Sequence, residues 1–132
     1  MKDGEPLMTF GNMGGSVQPE THAQHMVNLI DHGMNMQMTT DAARFTHSQG
    51  SNVLSLETHL FNLVGSALKA KGHTVRTVTG GAVGGYQGIL FTRDASLPAP
   101  AFDRRSVSED FPVNGVYRGG SDHRKDGQAV GW

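Results

Sequence analysis

Apolar residues recur at two different periods along this 132-residue chain, and the periods separate helices from strands. Ala23, Met26, Val27 and Ile30 fall at helical spacing, which predicts a helix over residues 19–32 with one apolar stripe. Pro19 suits the first helical position, Glu20 complements the positive end of the helix dipole, and Gly33 can take a left-handed C-cap. Leu60, Leu63, Val64, Ala67 and Leu68 repeat the pattern and predict a second long helix, capped by Thr58 and ending near Lys71. A shorter helix starts with Asn35 as N-cap and runs to about Arg44, with Met38 and Ala42 on one face. Strands are predicted over residues 6–10, 53–56, 74–78, 86–92 and 115–120, the last pairing back on its predecessor. Residues 94–114 carry Pro98, Pro100, Pro112 and mixed charges and read as a surface loop. Interleaved helices and strands make the fold class α+β.

The stretch between the first strand and the first helix is the candidate site. Gly11, Asn12, Met13, Gly14, Gly15 and Ser16 form a glycine turn that leads into the helix. Adjacent glycines allow positive φ and a close backbone approach, so N–H groups there can converge on negative charge at a helix entrance. The plain turn is the competing reading. The second glycine run, over residues 80–85, leads from strand to strand, and so lacks the context of a nucleotide loop.

Composition narrows the partners. A net charge of −1 supplies no basic surface for nucleic acid or a membrane. No apolar run approaches the roughly 20 residues needed to span a bilayer. The first residues hold no apolar signal core, and the absence of cysteine removes disulfide and thiol chemistry. Neither observation assigns a compartment.

The string as a whole carries more than its turn. Gly14-Gly15 is followed by Gln18-Pro19-Glu20-Thr21-His22-Ala23-Gln24, then Asn28-Leu29-Ile30-Asp31-His32-Gly33-Met34-Asn35, then Asp41-Ala42-Ala43-Arg44. This order and spacing resembles the small subunit of the gamma-glutamyltranspeptidase family. Gly72-His73, Gly84-Gly85-Tyr86-Gln87 and the closing Gly120-Ser121-Asp122-His123-Arg124-Lys125-Asp126-Gly127 resemble it too. Ala43 and His123 stand where that family usually has proline, and residues 94–114 look like an insertion. The resemblance implies part of an αββα N-terminal-nucleophile sandwich, with a mixed or antiparallel sheet and helices on one face. It makes residues 1–132 a single partial domain, the C-terminal part of a small subunit, with residues 2–5 joining two sheet strands.

The implied chemistry is transfer of a gamma-glutamyl group from amides such as glutathione to water or an amine. The nucleophile is an N-terminal threonine whose own amine is the base. By motif match, the backbone N–H groups of Gly14 and Gly15 look like the oxyanion hole, and Asn12 and Ser16 are candidates for the substrate-pocket wall. The threonine and the upstream substrate grips are expected to precede Met1, so the chain alone is expected to be inactive, and whether it counts as an enzyme by itself stays open. No cofactor or metal is implied. Expected partners are gamma-glutamyl small molecules, the missing N-terminal portion or large subunit, and further copies of the chain, but no nucleic acid and no membrane. Family members are often periplasmic or secreted. Two other readings stand beside this one: a non-catalytic binding or assembly module that reuses the fold, and an unrelated anion-binding module built on residues 11–16.

The remaining constellations have plainer readings. Thr39-Thr40 reads as a capping or surface pair, Asp41 and Arg44 as an ion pair along one helix, and His22, His25 and His32 as a solvated or hydrogen-bonded face. Arg44 is also placed to tie its helix to a loop. Asp41 and Glu57 have no spacing that brings them together as paired carboxylates. The seven methionines read as core fillers.

Overall fold

A computed structural model describes residues 1–2, 6–94 and 115–130. The expected turn at residues 2–5 and the loop at 94–114 lie almost wholly outside them. Among the described residues, six strands and three α-helices follow in the order β1 (Met8–Met13), α1 (Gln18–Ile30), α2 (Met36–Asp41), β2 (Phe45–Ser48), β3 (Val53–Glu57), α3 (Thr58–Ala70), β4 (Thr74–Val78), β5 (Gly85–Arg93) and β6 (Gly115–Ser121).

The strands divide between two sheets. β1, β5 and β6 form an antiparallel sheet in the order β1-β5-β6, with register from Met8 opposite Leu90 to Met13 opposite Gly85. β2, β3 and β4 form a second sheet, antiparallel between β2 and β3 and parallel between β3 and β4. The parallel pair requires a crossover, and α3 supplies it, packing on both strands. α1 and α2 cover one face of the first sheet, where Met36 of α2 meets Gly88 and Gly120 so closely that a Cβ on Gly88 would lie 2.6 Å from its Cε. The α+β class holds. Among the described residues, no helix is long and apolar enough to cross a membrane.

Local chemistry explains the element ends. Asn35 is the N-cap of α2, its Oδ1 accepting from the Met38 N–H at 2.9 Å. α2 stops at Asp41, short of the expected Arg44, because Ala42 turns to ψ 136°. Glu57, not Thr58, is the N-cap residue of α3, and its side chain makes no cap bond. β1 runs through Gly11, Asn12 and Met13, which the sequence assigns to the turn, because β5 supplies partners as far as Gly85. β2 has no strong sequence signal. Two side chains of α1 complete its pairing: Gln24 accepts from the Phe45 N–H at 3.0 Å and donates to the Phe45 carbonyl at 2.9 Å, and the Glu20 carboxylate accepts from the His47 N–H.

The helical stripes point differently from expectation. The buried residues of α1 are Thr21 and His25, while Val27 is 43% and Ile30 67% exposed. On α3 only Gly65 is buried, and Leu63 is 65% exposed. The interior holds Met36, Leu56, Val75, Val83 and Tyr86 as its buried apolar residues, together with Asn12, Thr39, Thr40, Arg44, Glu57 and Asp122. The face α1 turns to its own sheet is therefore polar, and its apolar stripe is left outward.

Candidate functional site

The Gly14-Gly15 turn sits at the surface between the end of β1 and the start of α1. Gly14 has φ 133° and Gly15 φ 61°, conformations in which L side chains are strained. A short 3₁₀ turn, Gly15–Val17, then leads directly into α1. Among the described residues, neither glycine N–H donates to a backbone carbonyl. A Cβ on Gly15 would meet nothing within 4 Å, whereas one on Gly14 would stand 2.8 Å from Val17 Cγ2. The turn thus sets two N–H groups with no backbone acceptor among the described residues near the positive end of a 13-residue helix. Ser16 is exposed within the same turn.

Asn12 faces inward. It is 5% exposed; its Nδ2 donates to the Met13 carbonyl at 2.6 Å and its Oδ1 accepts from Arg44 Nη1 at 3.1 Å. Gly84, at φ 81°, makes room for this arrangement, since a Cβ there would stand 1.9 Å from the Met13 oxygen.

Behind Asn12 lies a buried network of four charges. Arg44 Nη2 donates to Asp122 Oδ2 at 2.7 Å, both side chains being at most 1% exposed. Arg124 donates from Nε and Nη2 to the two carboxylate oxygens of Glu57, each at 2.6 Å, and from Nη1 to Asp122 Oδ1 at 3.2 Å. Backbone groups close the network. The Tyr86 N–H and Arg124 N–H donate to Asp122, the Arg44 N–H donates to Glu57, and the Thr40 and Ala42 carbonyls accept from Arg124. Two cations and two anions therefore neutralise one another with nearly every donor engaged, which is the condition for keeping charge out of water.

The titration behaviour follows. Burial alone would raise the Asp122 carboxyl, but the Tyr86 and Arg124 N–H groups and the Arg44 charge hold it below its ordinary value. Burial and the Arg124 charge lower Arg44, against the pull of Asp122 and Glu57. Burial opposes the charge on Arg124 too, yet hydrogen bonding and attraction to Glu57 raise it.

His25 occupies the adjoining interior. It is 1% exposed, its ring centroid lies 3.9 Å from that of Tyr86, and Nδ1 is 3.2 Å from the Thr39 carbonyl. That contact makes Nδ1 the protonated nitrogen of a neutral ring. Burial first, then the Arg44 charge, pushes its pKa down to about 4, against the Thr39 hydrogen bond and Asp122. Burial also raises Tyr86 to about 12.

Several sequence readings change here. Arg44 pairs with Asp122 rather than with Asp41, because α2 ends before Arg44 and the guanidinium enters the interior; it does reach the Gly84 carbonyl at 3.4 Å, but from beyond the end of the helix. Asp41 instead contacts Gln37 and, at 3.1 Å, His123. Thr39 and Thr40 are buried at 1% and 0%, not at a cap or the surface. Of the three histidines, only His25 is buried; His22 packs edge-on against Phe10 and His32 is exposed. Asp41 and Glu57 do line one open cavity of about 500 Å³ with His59, His123 and Arg124, but each is already paired. Among the described residues, no three His, Asp or Glu side chains gather to hold a metal.

Comparison with known proteins places this arrangement. The family model described as gamma-glutamyltranspeptidase matches residues 1–132. A glutathione hydrolase proenzyme of Escherichia coli is 35% identical over 109 residues, 83% of this chain and 18% of that protein. The glutathione hydrolase-like YwrD proenzyme of Bacillus subtilis is 28% identical across 98% of this chain and 22% of its own length. The chain thus spans about a fifth of these relatives. The crystal structure of a cephalosporin acylase from Bacillus halodurans superposes with a TM-score of 0.77 at 34% identity, covering 100% of this chain and 21% of that one. An acivicin-inhibited gamma-glutamyltranspeptidase shares the fold, with a TM-score of 0.72 over 96% of this chain and 57% of its own. With the family motif matched from end to end and the N-terminal-nucleophile fold in place, this chain belongs to the gamma-glutamyltranspeptidase family.

Proposed function

We propose that this chain works as the C-terminal part of a gamma-glutamyltranspeptidase-like small subunit and provides the oxyanion hole for acyl transfer from gamma-glutamyl amides. The observation that carries this is the surface Gly14-Gly15 turn at a helix entrance, where neither glycine N–H donates to a backbone carbonyl among the described residues. Attack on an amide carbonyl places negative charge on its oxygen. Two preorganised N–H donors stabilise that charge where it develops, and one such donor is worth roughly 3–4 kcal/mol in related chemistry. The threonine nucleophile comes from outside these 132 residues, which agrees with the chain spanning only 18–22% of its curated relatives. Ser16 is exposed in the same turn, and Asn12 is buried beside it.

A chromogenic gamma-glutamyl anilide tests the assignment. The isolated chain gives no turnover, and a complex with a chain that begins with threonine does. Clear turnover by the isolated chain overturns the reading. Native mass measurement on protein purified from its source separates it from the assembly-module reading, which requires a homo-oligomer without a threonine-initiated partner. The outward Val27, Ile30 and Leu63 support association in either case, and the isolated chain is expected to self-associate.

A further inference from the structure

An oxyanion hole needs its amide N–H groups held outward before substrate arrives, and a glycine peptide on its own rotates easily. The peptide between Met13 and Gly14 lies at the open end of the β1–β5 ladder, whose last rung is Met13 opposite Gly85. Its carbonyl oxygen accepts from Asn12 Nδ2 at 2.6 Å. A trans peptide directs its C=O and N–H to opposite sides, so a carbonyl held inward turns the Gly14 N–H outward. Asn12 cannot itself swing, because its Oδ1 is held by Arg44 Nη1 and Arg44 is held by Asp122. Gly84 leaves space for the Met13 oxygen to sit this way, since a Cβ there would overlap it.

We propose that Asn12 is a positioning residue that fixes the orientation of the Met13–Gly14 peptide, and that the Arg44–Asp122 pair is the rigid anchor behind it. This rests on the oxyanion assignment of Gly14. The chemical logic is a division of one amide side chain: the oxygen end is tied to the buried charges, and the nitrogen end steers the catalytic backbone.

Asn12→Asp divides the two ends experimentally. It keeps an oxygen acceptor for Arg44 and removes the donor to Met13. Measured by NMR on the labelled 132-residue chain, the variant shifts the Met13 carbonyl carbon upfield. Its Gly14 N–H residual dipolar coupling shrinks toward zero, while couplings in α3 and β3–β4 stay as in the parent. An unmoved carbonyl shift and an unchanged Gly14 coupling overturn the proposal, whatever the activity. Asn12→Ala removes both ends and should show the same change at Gly14; if it fails to fold, the aspartate variant still decides. In the assembled enzyme, Asn12→Asp lowers kcat on the order of 10–100-fold with little change in KM, because the donor acts on the transition state. A freed Gly14 peptide with unchanged kcat overturns the oxyanion reading and with it the catalytic meaning of Asn12.

Discussion

The interior around Arg44 and the outer faces of α1 and α3 reverse the usual arrangement of a small domain. Inside, Arg44, an aspartate, a glutamate, a histidine and paired threonines are buried, and the Arg124 side chain is 7% exposed. Outside, Ile30 and Leu63 are 67% and 65% exposed, at positions a helical pattern assigns to a core. The difference teaches that apolar patterning marks where a helix is meant to be covered, not what covers it. Within this chain, many of the buried places are taken by a polar network, while much of the apolar stripes is left exposed.

The strongest way to break that contrast is Asp122→Ala. It strands Arg44 in a site 1% exposed and removes an acceptor from Arg124 and from the Tyr86 N–H. Loss of one partner from a buried pair costs about 3–5 kcal/mol, so the denaturation midpoint should collapse. A loss below about 1 kcal/mol, the range of exposed pairs, would mean that water reaches the network.

Gly84→Ala sharpens the link between the interior and the turn. Its φ of 81° and the 1.9 Å approach to the Met13 oxygen add strain and overlap, together about 2–4 kcal/mol, read from denaturant unfolding. Gly15→Ala also takes a positive φ but meets no overlap, and should cost less, about 1–2 kcal/mol.

Acid should weaken the fold through His25 first. His25 has a folded pKa of about 4, below its ordinary 6.5, so the unfolded chain binds more protons between those values. Its contribution is complete above about pH 6.5 and falls by about 1.4 kcal/mol per pH unit toward pH 4. Asp122, held below its ordinary value, loses its contribution only at lower pH. His25→Asn should flatten the slope between pH 6.5 and 4, measured as urea midpoint against pH; an unchanged slope would show that the ring is not buried neutral.

The smallest effect on stability is expected outside. Ile30→Glu or Leu63→Glu should change the unfolding free energy by no more than about 0.5 kcal/mol, because neither side chain is packed. The same changes should abolish self-association in sedimentation. A large loss of stability instead would place these residues in a core.

Much of the fold was legible in the chain. The 3.6-residue stripes located α1 and α3, Asn35 marked the start of α2, and alternation marked β4. β2 was missed because Phe45–Ser48 is short and takes its edge partners from Glu20 and Gln24, residues that read as an exposed helix face. The glycine turn was legible as a candidate donor site, while the inward turn of Asn12 was not, since it depends on Arg44 from 32 residues away.

Sequence alone determined the local rules: which segments wind, which extend, where glycine admits positive φ, and to which family the motif string points. Those properties follow from neighbours a few residues apart. Tertiary structure decided which face of α1 is buried, that Arg44 answers Asp122 rather than Asp41, and that Asn12 holds the Met13 carbonyl. Arg44 and Asp122 are 78 residues apart, and a charge three residues away is the nearer candidate on any one-dimensional reading. The choice between them is made by desolvation. α2 ends before Arg44 and carries the guanidinium into the interior, where only a partner buried equally deeply can neutralise it.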